Sequence, residues 1–533
     1  MNIVQLQKYK WFTSHGIHVY GYAYYNDKCL RDSDLALLFL DAKDINNLVK
    51  DLNGSFSVVI EGDKCCYAIV DKIRSYPLFI CKTSDYYLIT DDIDFYCSME
   101  SVEVNPLGEY ELLRAGYTFS TDTLLKNVMQ IPAGFYGEVS SGLHIIEYHN
   151  YILPKEPRDS EIIKKLAYEK LEESFTRMLG SIRKGQQIVI PLSGGYDSRL
   201  IACLCKQRGL TNVVCYTYGR KDSFEVQTSK RVAEQLNYPW YFVEYTDAYI
   251  ASFAHNEPFQ RFVDTAGNYC SLPHYQDYFA IAYLNHNNIL EEDAVIVPGY
   301  VGDLYGGSKY PSSKIKAISE FSLRTLNRLI EEEFFEWNRD LDDKQSNSVV
   351  LDNCLGHIQM SNANELLDAF EPYWFMKSRA SNFVLNSVRT YELFGYEWRV
   401  PLMDDEYISF WYTVPWKDKE NSKIYNEFMF ENYFAKYSVD YYKQNTSFKN
   451  LNTAGSYFKS IIPKQVRNWL RNMYFKLHPG IYNCNSQDSI IRLFTQLNPS
   501  PCKIELTKVP SFVMMEANSV VTRVAINRLY GRL

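Results

Sequence analysis

The sequence has no continuous run of about 18 apolar residues, the length that a helix needs to cross a bilayer. Its first residues, MNIVQLQKYKWF, lack the basic segment and apolar core of a signal peptide. Zinc-ligand spacing is absent too: Cys65 and Cys66 are adjacent, and Cys203 and Cys205 are followed by no second pair. We therefore expect a cytoplasmic protein with reduced cysteines.

An excess of positive charge is also absent. The 56 Lys and Arg residues are outnumbered by 64 Asp and Glu residues, which gives a formal net charge of −8. Proteins that mainly neutralise nucleic-acid phosphates carry the opposite excess, so we predict small-molecule partners and no nucleic acid. The composition is that of a globular protein, with 46% apolar and 23% charged residues. A chain of 533 residues is long enough for two or three domains.

The first part of the chain has a mainly β pattern. Short β-like runs alternate with turn signals at 18–25, 55–62, 66–71 and 86–92. Pro154 and Pro157 then interrupt the chain and mark the predicted domain boundary. We therefore predict a first domain over residues 1–152.

Strands and helices alternate beyond that boundary. Apolar residues recur every fourth position from Ile163 to Leu179 and predict an amphipathic helix. Apolar strands separated by helical patterns follow at 188–192, 213–219, 240–245 and 294–299. This order predicts an α/β fold with a doubly wound parallel sheet. We assign it to a second domain over 159–445, with a helical extension over 446–533.

The segment IVIPLSGGYDSR places a glycine loop, residues 193–198, between a buried strand and a helix. Two glycines let successive backbone N–H groups point into one concavity, and the helix N-terminus adds partial positive charge, so the loop suits a phosphate. Asp197 would repel a phosphate unless a cation lay between them, and we predict that it holds Mg²⁺. The alternative is an ordinary strand-to-helix turn with a capping Asp.

The loop SGGYDS resembles the SGGxDS pyrophosphate loop of the N-type ATP pyrophosphatases, which include asparagine synthetases. GYVGDLYGG (299–307) is similar to the SGEGADELFGG loop of asparagine synthetases, in the same order along the chain. The resemblance implies an enzyme that binds ATP and Mg²⁺, converts a carboxylate into its adenylate and releases pyrophosphate. The nucleotide site that it implies consists of Leu192, Ser193, Gly194, Gly195, Asp197, Ser198, Tyr218, Glu225, Gly299 and Asp303. Asp197 and Asp303 would be the metal ligands.

The same resemblance supplies three catalytic candidates. FGYEWRVPLMDDEYISFWYTVP (394–415) is similar to the R-x-P-F-L-D segment of the synthetases and contains Arg399 and Asp404. Lys423 aligns with a lysine that reaches the adenylate and pyrophosphate. Tyr300 replaces a family Glu, as in β-lactam synthetases, where a Tyr takes part in proton transfer. A phenol with an ordinary pKa near 10 needs a neighbouring charge to act as a base, so packing beside the nucleotide is the alternative for Tyr300.

The first domain resembles the glutaminase domain of asparagine synthetases at 52–60, 70–80 and 124–134. This implies an N-terminal-nucleophile (Ntn) hydrolase fold, an αββα sandwich. The chemistry of that fold needs a Cys directly after the initiating Met, whereas this chain has Asn2 there and its first Cys at Cys29. We therefore expect no glutaminase activity.

The loss of the nucleophile leaves the nitrogen source open. Ammonia or an amine substrate would attack the adenylate, or an amine of the same molecule would close a ring, as in β-lactam synthetases. A catalytically inactive scaffold is the alternative from another class of protein. A transfer-RNA-modifying pyrophosphatase is expected to show a basic surface and paired catalytic cysteines, and neither is evident in the sequence.

The segment SYFKSIIPKQVRNWLRNMYFKL (456–477) contains five basic residues and no acidic one. Its apolar residues recur at helical spacing, so it predicts a basic amphipathic helix. Such a helix lies on an anionic membrane surface or packs its apolar stripe on the protein, and both interpretations stay open.

Overall fold

The computed structural model describes residues 2–308, 331, 335, 337–355, 371–441, 487–506 and 514–533. The predicted amphipathic helix over 456–477 lies outside these residues. Across the described ranges, no helix is long and apolar enough to cross a membrane.

The strands are β1 (Ile3–Gln5), β2 (Phe12–Ser14), β3 (Ile17–Tyr25), β4 (Lys28–Arg31), β5 (Asn53–Ile60), β6 (Cys66–Val70), β7 (Phe79–Lys82), β8 (Tyr87–Thr90), β9 (Val128–Gln130), β10 (Phe135–Val139), β11 (Leu143–Glu147), β12 (Ile188–Pro191), β13 (Val213–Gly219), β14 (Trp240–Glu244), β15 (Val295–Ile296) and β16 (Glu397–Trp398).

The α-helices are α1 (Asp32–Leu40), α2 (Ile45–Asp51), α3 (Ile93–Met99), α4 (Pro106–Ala115), α5 (Ser160–Gly180), α6 (Tyr196–Gln207), α7 (Phe224–Leu236), α8 (Asp247–Ala251), α9 (Glu257–Thr265), α10 (Tyr278–His286), α11 (Lys344–Leu355), α12 (Arg389–Leu393), α13 (Asp405–Thr413), α14 (Lys423–Met429), α15 (Gln487–Leu497) and α16 (Met514–Arg532). Tighter or wider helical turns lie at Ser252–His255, Leu304–Ser308, Arg339–Leu341, Glu371–Val384, Leu385–Val388, Pro401–Met403, Glu420–Ser422 and Phe430–Phe434.

Strands β1 to β11 form two sheets that pack face to face. One sheet has the order β1-β8-β7-β9, and the other has the order β11-β10-β6-β5-β3-β2 with β4 paired to β3. Successive residues of a strand point to opposite faces. Val59 therefore shares a core with Ile80 of the four-stranded sheet, whereas its neighbour Val58 shares a core with α1 and α2. Helices α3 and α4 pack on the other face of the four-stranded sheet. The layers thus run helix, sheet, sheet, helix.

Strands β12 to β16 form the predicted parallel sheet, with the order β14-β13-β12-β15-β16. From β12 the chain proceeds to β13 and β14 on one side, and it later adds β15 and β16 on the other. The strand order therefore reverses at β12. In open α/β sheets, ligands bind at such a point, in the crevice outside the carboxyl ends of the strands.

Helix α5 confirms the predicted amphipathic helix. Ile163, Ala167, Leu171 and Phe175 are fully buried, but Leu179 is only partly buried. A spacing of four residues exceeds the helical repeat of 3.6, so each step rotates the side chain by about 40°. The last member of the series has turned away from the core, and Met178 is buried in its place.

The cysteines of the second part of the chain behave as apolar core residues. Cys203, Cys205 and Cys215 are free and buried, as the sequence predicts. Burial raises the pKa of the Cys215 thiol to about 12, and it raises the pKa of the other two thiols as well. All three are therefore protonated at neutral pH.

Asp404 joins the parallel-sheet part of the chain to the first two sheets. Its carboxylate accepts hydrogen bonds at 2.8 and 2.7 Å from Arg177 on α5, and one at 3.0 Å from the Asn53 side chain on β5. The same carboxylate accepts a hydrogen bond from the Glu406 N–H in the first turn of α13. Beside it, Lys72 pairs with Asp405 at 2.6 Å. The segment around Asp404 therefore fastens the two parts together.

We predict that Asp404→Asn lowers the free energy of unfolding by about 3 kcal/mol, because the poorly exposed Arg177 guanidinium loses its nearer charge partner and keeps only Glu406 at 3.3 Å. Urea unfolding followed by circular dichroism measures the change. Glu406→Gln is the matched control: its carboxylate is 45% exposed, so its loss should cost under about 1 kcal/mol. Equal stability of the Asp404 variant and the wild type would contradict this role.

Candidate active site

A cavity of about 340 Å³ lies at the carboxyl ends of β12 and β13, where the strand order reverses. The end of β13, the start of α7 and the loops that follow β12 and β15 meet around it, together with the segment before α10 and the helical turns that precede α12. The lining residues are Pro191, Leu192, Ser193, Ser198, Tyr216, Thr217, Tyr218, Glu225, His274, Gln276, Asp277, Pro298, Gly299, Tyr300, Phe383, Val384 and Ser387. Seven of them belong to the site predicted from the sequence: Leu192, Ser193, Ser198, Tyr218, Glu225, Gly299 and Tyr300.

The loop after β12 is held by its own serines. The Ser193 N–H donates a hydrogen bond to Ser198 Oγ at 3.1 Å, and the Gly195 N–H donates to Ser193 Oγ at 3.1 Å. Helix α6 begins at Tyr196, so Asp197 and Ser198 lie in its first turn. A turn of this kind at a helix N-terminus is a suitable place for a phosphate, because the first N–H groups of a helix have no partner within it.

Two glycines let the surrounding elements approach this loop. A methyl group on Gly299 would overlap the backbone nitrogen of Ser198. A methyl group on Gly194 would lie 3.1 Å from the Cα of Glu225, closer than ordinary van der Waals contact. The loops after β12 and β15 and the start of α7 are therefore packed backbone to backbone, and the absence of side chains at these positions makes the contact possible.

Asp197 and Asp303 come together although they are 106 residues apart. The Asp303 N–H donates a hydrogen bond to Asp197 Oδ2 at 3.0 Å, and the Tyr425 hydroxyl donates to Asp197 Oδ1 at 3.1 Å. Burial and the nearby Asp197 raise the pKa of Tyr425, so this phenol remains a donor. The Ser308 hydroxyl donates to Asp303 Oδ2.

The chemistry of this pair fits Mg²⁺. Two carboxylates from different loops are hard oxygen ligands, which this cation prefers. Within the described ranges, no three His, Cys, Asp or Glu side chains cluster as a metal site. A cation held by Asp197 and Asp303 would therefore take its remaining ligands from phosphate oxygens and water, as Mg²⁺ does in nucleotide sites.

Tyr300 lies in the cavity as a neutral phenol. Its hydroxyl is 2.8 Å from Ser387 Oγ and 3.1 Å from the hydroxyl of Tyr391. Burial raises the pKa of Tyr300 well above its ordinary value, and the Asp277 carboxylate raises it further. A phenol needs a nearby positive charge to act as a base, but the neighbour of Tyr300 is the negative Asp277 carboxylate. Tyr300 therefore serves here as a hydrogen-bond donor or acceptor.

Asp277 is the main residue of the cavity that the sequence interpretation missed. It directly precedes α10, and its carboxylate accepts hydrogen bonds from the hydroxyls of Tyr391 at 2.6 Å and Tyr216 at 3.3 Å. Burial raises the pKa of Asp277, and these hydrogen bonds act in the opposite direction. The surrounding sequence, HYQDYF, matches no motif that would have marked this Asp.

Arg399, predicted as catalytic, lies away from the cavity. Its guanidinium donates hydrogen bonds to the Ser181 carbonyl at 2.8 Å and to Glu397 at 2.6 Å, and it lies over the ring of Tyr22. Nearby carboxylate and phenol groups keep its pKa above the ordinary value against the effect of burial. These contacts connect α5, β16 and β3, so Arg399 links the two parts of the chain, and its catalytic role stays a prediction.

Lys423 stands at the first residue of α14 with its side chain 77% exposed. Its Nζ lies 3.9 Å from Glu427 on the same helix, and it is not among the residues that line the cavity. Tyr425, two residues later, contacts Asp197 and so places this helix beside the two acidic loops. The predicted contact of Lys423 with the adenylate therefore requires its flexible side chain to turn toward the site, and it stays a prediction.

Comparisons with known proteins agree with the resemblance in the sequence. Residues 168–429 match the family model described as asparagine synthase. A probable glutamine-hydrolyzing asparagine synthetase from Acanthamoeba polyphaga mimivirus is 25% identical over 218 residues, which are 38% of this chain and 37% of the relative. The chain thus spans little more than a third of the length of that curated relative.

Similarity also extends to solved structures. An NH3-dependent NAD synthetase from Campylobacter jejuni subsp. jejuni matches with 16% identity over 39% of this chain and 99% of its own, with a TM-score of 0.21. An NMN synthetase from Francisella tularensis matches with 14% identity over 40% of this chain and 94% of its own, with a TM-score of 0.19.

We predict that Gly299→Ala weakens ATP binding about tenfold or more and lowers the free energy of unfolding by about 1–3 kcal/mol, since the added methyl group pushes apart two packed backbones. Calorimetry with Mg·ATP and urea unfolding measure the two effects. Gly142→Ala is the matched control, because a methyl group there meets nothing within 4 Å. Unchanged ATP affinity and stability in the Gly299 variant would rule out the close approach.

Proposed function

We propose that this chain, whose residues 168–429 belong to the asparagine synthase family, is an ATP-dependent ligase. It activates a substrate carboxylate as its adenylate, releases pyrophosphate, and forms an amide with ammonia or an amine. One observation carries the proposal: the Asp303 N–H donates a hydrogen bond to Asp197 Oδ2. This contact brings two acidic loops together beside the cavity at the reversal of the strand order, where a nucleotide and its cation would meet.

The proposed reaction has two steps. A carboxylate oxygen of the substrate attacks the α-phosphorus of ATP, a new P–O bond forms, and the bond to pyrophosphate breaks. The nitrogen nucleophile then attacks the acyl carbon, a C–N bond forms, and AMP leaves with the electron pair of the broken C–O bond. The nitrogen loses one proton in this second step.

The residues of the cavity have distinct proposed roles in these steps. The loop over 193–198 would hold the leaving pyrophosphate through its N–H groups and the Ser193 and Ser198 hydroxyls. Asp197 and Asp303 would hold Mg²⁺, which neutralises charge on the phosphates when it is bound. Lys423 would stabilise the charge that grows on the α-phosphate. Tyr300, as a neutral phenol, would orient the nucleophile by a hydrogen bond.

We further propose that the helix, sheet, sheet, helix layers of residues 1–152 are an Ntn-hydrolase-like domain without glutaminase activity. The Asn2 amide donates hydrogen bonds to the carbonyls of Val139 and Ser140, at 3.2 and 3.3 Å, and so joins the start of β1 to the end of β10. The parallel-sheet domain over 159–445 and the helical extension over 446–533 complete the proposed organisation.

Without glutaminase activity, ammonia or an amine is the proposed nitrogen source, and the reaction would proceed in the cytoplasm.

A ring-closing reaction is the second candidate, and Tyr300 favours it. Tyr300 lines the cavity at the position where β-lactam synthetases, which close a ring within one substrate, carry a Tyr. In that case, the carboxylate and the amine would belong to the same molecule. Mass spectrometry of the product distinguishes the two reactions, because ring closure gives the substrate mass less one water.

We predict that Asp197→Asn and Asp303→Asn each abolish pyrophosphate release from Mg·ATP while the protein stays folded, because each removes an anionic ligand from a hard cation. A pyrophosphate-release assay screened over candidate carboxylic acids, with and without ammonia, measures the activity. Asp63→Asn, at an exposed position of the first part of the chain, is the control and should keep full activity. Full activity in both loop variants would refute the assigned site.

We predict that Lys423→Met lowers kcat roughly a hundredfold while ATP affinity changes little, since a charge that stabilises only the transition state acts on kcat. Single-turnover kinetics measures this loss.

We predict that Tyr300→Phe slows mainly the second step, so that exchange of labelled pyrophosphate into ATP survives. Single-turnover kinetics and the exchange assay separate the two steps. Equal loss of both steps in Tyr300→Phe would mean that the phenol shapes the nucleotide pocket instead.

A further inference from the structure

Asp277 lies directly before α10, but its carboxylate does not cap that helix and is at the cavity wall instead. An Asp directly before a helix ordinarily caps it by accepting hydrogen bonds from the first N–H groups. Asp277 precedes α10 but makes no such bond. Its two oxygens instead accept hydrogen bonds from the hydroxyls of Tyr391 and Tyr216, and the residue lines the cavity. The phenols hold the carboxylate at the wall of the cavity, where Tyr218 also lies close enough to lower its pKa.

The acidic side chains on the described wall of the cavity have no basic side chain beside them in that lining. Among the described residues that line it, Asp277 and Glu225 are the carboxylates, and the set includes no Lys or Arg. Tyr216 and Tyr391 stay protonated, since burial raises the pKa of both. The hydrogen bonds that reach Asp277 therefore come from neutral donors. A buried carboxylate without a cationic partner is costly, and a positively charged ligand offsets that cost.

His274 adds a second polar group to the same wall. Burial lowers the pKa of its imidazole to about 4, so the ring is neutral at pH 7. Its Nε2 is buried and has no hydrogen-bond partner among the residues that the structure describes. Phe383 and Val384 line the cavity beside these polar groups. Polar groups for a charged head and apolar walls for a carbon chain thus occur together.

We infer that Asp277, with the hydroxyls of Tyr216 and Tyr391, binds a primary ammonium group carried by an organic substrate. An ammonium has three donors and suits a carboxylate flanked by phenol oxygens. The inference rests on the proposed ligase activity, because it places the amine-bearing substrate in the cavity that the phosphate loop borders. Asp277 is then a residue that determines substrate specificity.

Calorimetric titration of the full chain with n-butylammonium, and with n-butanol as the uncharged comparison, tests this inference. We expect the wild type to bind the cation and not the alcohol. Asp277→Asn should raise the Kd for the cation about thirtyfold or more, since it removes the charge and keeps the shape. Asp63→Asn removes the same charge at an exposed position outside the cavity and should stay within about threefold of the wild type. Equal binding by wild type and Asp277→Asn, or no binding by the wild type, overturns the inference.

A second measurement covers the case in which Asp277→Asn does not fold. Crystals of the wild-type chain are soaked with thallium(I), a monovalent surrogate for ammonium with a strong anomalous signal. A peak at the Asp277 carboxylate supports the site, and its absence contradicts it. Titration with Mg·ATP in parallel separates the two claims: a chain that binds butylammonium but not Mg·ATP refutes the proposed ligase and leaves the cation site standing.

Discussion

The hydrogen bond from the Asp303 N–H to Asp197 is the contact on which the rest of the site depends. It joins a loop at the end of one central strand to a loop at the end of its neighbour, and it brings two carboxylates to the same edge of the parallel sheet. The backbone accommodates this closeness in two ways. A side chain on Gly302 would overlap the Asp197 carboxylate, and the glycine avoids that overlap. Val301 adopts a left-handed conformation with φ 62°. A β-branched residue rarely takes that conformation, and such strain concentrates at functional sites.

Buried polar contacts connect this site to the first two sheets. Arg177 and Asn53 bind Asp404, and Lys72 binds Asp405, at the start of the helix that packs on α5. Such contacts specify one arrangement, because removing either partner leaves a poorly solvated group unpaired. The first two sheets thus have a physical role as the support of the segment that follows the parallel sheet.

The sequence predicted those parts of the site that depend on local backbone chemistry. The loop over 193–198 and the glycines of 299–307 were recognisable because a tight turn between strand and helix demands particular residues. Asp277 was not recognisable, since its environment comes from tyrosines more than 60 positions away in both directions. Arg399 was expected to be catalytic from its place in a motif, but its contacts with Ser181 and Tyr22 depend on packing between distant elements. Local patterns carry no information on which side chains the fold will bring together.

The proposed activity depends on the binding of Mg·ATP by the two acidic loops. The most direct test is a crystal structure of the full chain with Mg²⁺ and an ATP analogue that carries a methylene group between the α- and β-phosphates. We predict the terminal phosphates within hydrogen-bond distance of the N–H groups of 193–198, with the metal ion bound by Asp197 and Asp303. A nucleotide bound elsewhere, or no nucleotide in the crystal, would contradict this assignment.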